Sequence, residues 1–178
     1  MTPAEWADLP ADPLRERIAE VIASNPRVCS CGFRCFLPGR RGRCRWYQMD
    51  SDAAADAVIA AMLVLEGFRR VKAGPGAVCA HMIKDVLSCA LEGFHHPVGY
   101  LSEGEVILGA LAAGVEVFEG RGGVAHLGIS RLDLRVLEGS ERAAERRAEA
   151  GLPPLWTGSR TPASQGRTGS GRNPGREA

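Results

Sequence analysis

Residues 97–129 read PVGYLSEGEVILGALAAGVEVFEGRGGVAHLGI, and this stretch decides the fold class. Ser102 is followed three residues later by Glu105, the spacing of a capping box, in which each side chain satisfies an orphan backbone amide at a helix start. Leu101 and Val106 are placed to pack across that cap as a hydrophobic staple. Val106, Ile107, Ala110 and Leu111 form an apolar stripe at helical spacing. Gly114 supplies the left-handed residue that commonly ends a helix. Val115-Glu116-Val117 then alternates like a half-buried strand, Gly120–Gly123 is a turn, and Ala125, Leu127 and Ile129 give a return strand one apolar face. The stretch predicts a helix running into a β-hairpin. The fold class is therefore α+β: mostly helical small domain(s) carrying a helix–β-hairpin unit.

Upstream, Asp12-Pro13 opens a helix with Leu14, Ile18, Val21 and Ile22 on its apolar face, and Asn25-Pro26 ends it. Asp50, Ser51 or Asp52 caps a second helix, with Val58, Ile59, Met62 and Leu63 as its stripe and Gly67 as its stop. Phe68–Val71 reads as a short strand before a break at 72–76. A third helix is expected over 77–92, ended by Gly93. Cys79, Ile83, Val86 and Ala90 line one face of it; His81, Lys84, Asp85, Ser88 and Glu92 line the other.

Downstream, Ser130 caps a short helix over 131–137. Gly139-Ser140 breaks it and recaps a polar helix over 141–150, whose Arg142–Glu145 and Arg146–Glu149 pairs add a few tenths of a kcal/mol each. From Thr157 onward there is no large apolar residue, and such a segment cannot offset its ordering entropy, so a disordered basic tail is expected. The chain divides into 1–72, a helical segment with a Cys/Arg-rich loop; 73–139, the helix–helix–hairpin unit; 140–156, polar helix and linker; and 157–178, the tail.

With 178 residues there is room for one domain or two small ones, and a net charge of +1 excludes polyanion binding by bulk charge. The longest nearly apolar runs, 57–65 and 106–115, fall short of the roughly 20 residues that span a bilayer, so no membrane association is expected. The first thirteen residues, MTPAEWADLPADP, are acidic and lack the apolar core of a targeting segment, which points to the cytoplasm. In that reducing compartment the six cysteines stay free or bind metal.

Cys29, Cys31, Cys35 and Cys44 lie within sixteen residues and could close a tetrahedral site, for which structural zinc is the default metal. Their spacing contains no CxxC knuckle. An iron–sulfur cluster and plain buried or free thiols are the alternatives. The same loop holds Arg27, Arg34, Arg40, Arg41, Arg43 and Arg45 without one acid between Pro26 and Met49, interleaved with Phe33, Phe36, Trp46 and Tyr47. Guanidinium forks match phosphates and aromatic faces stack unpaired bases, so Arg34, Arg40, Arg41, Arg43, Arg45, Trp46 and Tyr47 are the candidate contacts for single-stranded nucleic acid. The opposing reading packs the aromatics inward and leaves the arginines as a solvated rim.

Charge argues against a winged-helix use of the central unit and for a packing or protein-contact one: its helix over 103–113 carries two glutamates and no cation to present to phosphates. His81, Asp85 and Cys89 recur at i, i+4, i+8, and His95, His96 and His126 lie in the same half, but no spacing there fixes a reaction class. Gly120-x-Gly122-Gly123 lacks the strand-to-helix context of a dinucleotide fingerprint, so no catalytic residue is assigned.

The segments DPLRERIAEVIA and WYQMDSDAAADAVIAAML, with GYLSEGEVILGALAAGV, resemble pieces of small accessory proteins of actinobacteria and their phages. The resemblance covers less than half the chain and carries no activity or site. It implies a small intracellular accessory protein, phage-borne in some cases. Three functional expectations result: a non-enzymatic protein whose zinc-organised Cys/Arg loop contacts nucleic acid; a metal-free protein-interaction module, such as a phage-encoded host modulator, using the acidic helix, hairpin edge and tail; and an enzyme using the Cys/His groups of the second half.

Overall fold

The computed structural model describes residues 11–33, 52–93, 96–152 and 155. Within them the chain forms α1 (Ala11–Ser24), α2 (Asp52–Glu66), β1 (Val78–Cys79), α3 (Ala80–Gly93), α4 (Glu103–Ala112), β2 (Val117–Glu119), β3 (Ala125–Leu127), α5 (Arg131–Leu137) and α6 (Glu141–Glu149), with a 3₁₀ turn at Arg121–Gly123. This is the expected α+β class: helices with one small antiparallel sheet.

α4 is the axis of the fold, and its start is held by the capping box its sequence predicts. The Glu105 amide donates to Ser102 Oγ at 3.2 Å, and the Ser102 amide donates to Glu105 Oε2 at 2.5 Å. Leu101 and Val106 are both fully buried across that cap. Gly114 ends the helix at φ +73°, the conformation that favours glycine. The stripe read from the sequence is too narrow, because α4 is buried nearly all round, Glu103 and Glu105 included. α1, α2 and α3 each pack against it. Fully burying side chains such as Ile107 and Leu108 contributes roughly 1.5–3 kcal/mol each.

The α2–α4 contact is a backbone approach made possible by Gly109. A Cβ there would stand 2.7 Å from Ala61 Cβ, 2.9 Å from the Met62 amide and 3.0 Å from the Val58 carbonyl. Val58, Ala61, Met62 and Leu65 are therefore the innermost residues of α2, while Ile59 and Leu63 are half-buried. The expected stripe differs because α2 is apolar almost throughout, so periodicity alone does not point to one face.

The sheet has the order β1–β3–β2 and is antiparallel throughout. Val78 pairs with Leu127 and Cys79 with His126, while Val117, Phe118 and Glu119 pair with Leu127, His126 and Ala125. The expected hairpin is present, but its first strand starts at Val117 rather than Val115. The third strand occupies what the sequence predicts as the first turn of the third helix. With α3 starting at Ala80, its buried face is Ala80, Ile83, Leu87, Ser88 and Leu91, not Cys79, Val86 and Ala90. Ser88 Oγ donates to the Lys84 carbonyl at 2.7 Å and accepts the Leu101 amide at 3.0 Å, which accounts for a buried serine on the face expected to be polar. The strand expected over 68–71 is reduced to one bridge, between Arg70 and Ile129.

Ser130 and Ser140 cap α5 and α6, as expected. α6 is docked rather than loosely attached. Arg147 is buried and forms an ion pair with buried Asp133, and its second nitrogen donates to the Gly67 carbonyl at 2.9 Å. Asp133 also accepts the Arg69 amide at 2.6 Å. Leu155 is buried close by, with its Cδ2 beside Gly67. The side-chain pairs expected within α6, Arg142–Glu145 and Arg146–Glu149, are not formed. Among the described residues no helix is long and apolar enough to cross a membrane.

Candidate functional site

The first part of the Cys/Arg loop is described to Phe33 and is built into the core. Val28 and Cys29 are buried, and Phe33 packs against the core cluster. Cys29 and Gly32 close a tight turn: the Cys29 amide donates to the Gly32 carbonyl at 3.2 Å, and the Gly32 amide donates back at 2.8 Å. Gly32 has φ +72°, so a glycine is required at that corner. The turn rests on the first residues of α4. The Gly104 amide donates to the Ser30 carbonyl at 3.2 Å, and a Cβ on Gly104 would lie 2.0 Å from the Cys29 carbonyl oxygen.

Beneath the turn lies Glu103, buried, with Oε1 lacking any hydrogen-bond partner. Its Oε2 is 3.9 Å from His81 Nδ1, and His81 Nε2 is 3.8 Å from Asp85 Oδ2. The i,i+4 pairing of His81 with Asp85 is thus realised at the long end of ion-pair distance, whereas exposed Cys89 joins no such group. The other described histidines are used separately. His96 Nδ1 accepts the Val98 amide at 3.1 Å, and burial holds its imidazole below the usual range. His126 Nδ1 lies 3.3 Å from the Ala77 carbonyl.

Of the four cysteines expected to hold zinc, Cys29 is buried with its Sγ 3.3 Å from the Gly32 carbonyl, and Cys31 is exposed. Cys35 and Cys44 lie outside the described residues, as do Arg34, Arg40, Arg41, Arg43, Arg45, Trp46, Tyr47, His95 and the expected tail. Among the described residues no group of three or more His, Cys, Asp or Glu side chains could hold a metal ion. Arg27, the first arginine of the acid-free run, meets an acid across the fold: it pairs with Glu119 Oε1 at 3.0 Å and lies over the Phe33 ring at 6.0 Å.

Two cationic features went unread in the sequence. One is an open groove of about 490 Å³ along residues 69–78 and 129–132, whose charged lining residues are Arg69, Lys72 and Arg131, with no acid among them. Arg69 donates to Ser130 Oγ at 3.3 Å and Arg131 to the Gly76 carbonyl at 3.1 Å, so both guanidinium groups are positioned by neutral partners, while the Glu116 carboxylate accepts the amide of Ala73 in the groove lining at 3.0 Å. Lys72 has no partner among the described residues. The other is a smaller pocket at the corner between α5 and α6. The available signal was the i,i+4 spacing of Arg131 with Arg135 and of Arg142 with Arg146 on either side of Gly139-Ser140. That spacing places cations in line but does not reveal that two helices converge.

No protein-family model, no curated protein and no solved structure matches this chain.

Proposed function

We propose that the protein is a small accessory protein that contacts single-stranded nucleic acid, chiefly through its phosphates. The observation that carries this reading is the acid-free groove lined by Arg69, Lys72 and Arg131. Guanidinium and ammonium groups that lack acidic partners are available to replace the counterions of a phosphate backbone. The arginine run from 27 to 45, with Trp46 and Tyr47 as stacking faces, supplies a second contact of the same chemistry. Zinc held by Cys29, Cys31, Cys35 and Cys44 belongs to this reading as the group that orders the run.

Fluorescence anisotropy with labelled single-stranded and duplex oligonucleotides, at several salt concentrations, tests it. Single strands are expected to bind more tightly than duplex, with affinity falling steeply as salt rises. The double variant Lys72→Ala, Arg131→Ala is expected to reduce the salt slope by about 1.4, at about 0.7 per lost contact on a single strand. An unchanged slope, with binding lost instead on replacing Arg40, Arg41, Arg43 and Arg45, would move the contact to the run. Absence of binding at low salt ends the reading. Metal analysis of protein purified without chelator is expected to return about one zinc per chain; a zinc-free protein that still binds oligonucleotide removes the metal from it.

A protein partner is the second reading, and the edge strand β2 favours it. Among the described residues β2 pairs with β3 alone, and Phe118 is exposed on it. An unpaired strand edge accepts an added strand from a partner.

A further inference from the structure

At the corner where α5 gives way to α6, Arg135, Arg142 and Arg146 line a pocket of about 280 Å³ with Leu132, Ser140 and Ala143. We infer that this corner binds the dianionic phosphate group of a small phosphate monoester, a ligand separate from the nucleic acid of the preceding reading.

Three guanidinium groups gathered on one pocket repel each other, and a dianion between them removes that repulsion. Among the described residues none of the three has a hydrogen-bond or ion-pair partner. Their planar forks match phosphate oxygens two at a time, which a lysine cannot do.

The pocket is held in shape by contacts that involve none of the three side chains. Gly139 turns the chain at φ +89°, the Ser140 amide donates to the Arg135 carbonyl at 3.0 Å, and Ser140 Oγ caps α6 by accepting the Ala143 amide at 3.4 Å. Beneath, the buried Asp133–Arg147 pair locks α5 to α6. The backbone positions that carry the three arginines are therefore fixed before any ligand arrives, and only the side chains remain to be ordered on binding.

Size and flanking charge select a small ligand. Glu141, Glu145 and Glu149 run along α6 at i,i+4,i+8, one residue out of phase with Arg142 and Arg146. A long polyanion laid along α6 would meet that carboxylate stripe, whereas the pocket itself is lined by three arginines, Ser140, Leu132 and Ala143, with no carboxylate among them.

Calorimetric titration of the full chain at low ionic strength with inorganic phosphate, adenosine 5′-monophosphate and adenosine tests the inference. The phosphate and the nucleotide should bind saturably and in competition, and adenosine should not bind. A nucleotide about tenfold tighter than phosphate identifies an ester as the ligand; equal affinities identify free phosphate. Arg135→Ala with Arg146→Ala should weaken binding at least about tenfold, and Arg142→Lys, which keeps the charge but loses the fork, should weaken it less. These side chains are exposed, so circular dichroism should be unchanged, and Arg121→Ala, at the hairpin tip, should bind like the parent. Heats that never saturate, or a double variant that binds like the parent, would overturn the site. Loss of oligonucleotide binding in Lys72→Ala, Arg131→Ala with phosphate binding intact would separate this site from the groove.

Discussion

Asp133 is 0% exposed and Arg147 3%, and each satisfies the other while also bonding a backbone group of the 67–69 segment. Breaking a buried pair from one side leaves an uncompensated charge, so Arg147→Met should cost about 3–5 kcal/mol in urea unfolding. Adding Asp133→Leu removes the stranded charge, and the double variant should be less destabilised than the sum of the singles. Simple additivity in that cycle would show that the pair is not coupled in the folded state.

Glu105 sets a different residue-scale test. Burial raises its carboxyl above the ordinary glutamate range, against the lowering effect of the Ser102 amide. A folded-state value above the unfolded one contributes stability below the unfolded pKa of about 4.3, and that contribution is lost as pH rises through the folded value. Glu105→Gln keeps an acceptor for the Ser102 amide and carries no charge to bury. It should therefore be more stable than the parent at pH 7, with the difference vanishing below about pH 4. Glu105→Ala, which loses the cap, should be destabilised by about 1 kcal/mol. Thermal melts of both across that pH range decide it.

At the scale of elements, α4 reverses an ordinary rule. Glycine in a helix interior costs roughly 0.5–1 kcal/mol relative to alanine, so Gly109→Ala would stabilise an exposed helix. Here the new methyl meets the α2 backbone, and the variant should be destabilised by about 1–3 kcal/mol, as overpacking usually is. A higher melting temperature for that variant would mean the α2–α4 approach is looser than described.

The same element marks what the sequence could disclose. The box at Ser102 and Glu105, the stop at Gly114, and the caps at Ser130 and Ser140 are local chemistry, and each sits where it was read. β1 was not legible, because Val78 and Cys79 become a strand only by pairing with Leu127 and His126, about fifty residues away. The burial of Glu103 and Glu105 was hidden for the same reason: two acids on a helix read as a solvated face until three other helices cover it. Arg147 looked like one more surface arginine of α6, since Asp133 is its partner only after the chain turns at Gly139. The arginine pocket depends on that same turn.

For the whole molecule, the placement of α4 fixes an order of events during synthesis. α1, α2 and α3 all precede it in the chain, and each buries part of its apolar face against it. At about 5–20 residues per second, the wait for their common partner runs from about 1–4 s for α3 to about 4–18 s for α1. Through that interval Ile18, Met62, Leu65, Ile83 and Leu87 have no finished core to enter. Ribosome-bound chains that expose residues 1–100 should be protease-sensitive and captured by ribosome-associated chaperones, and chains exposing residues 1–130 should lose both properties together. The vulnerable species in the life of this protein is thus its own half-made form, and a pause in translation just before residue 103 would lengthen its exposure most.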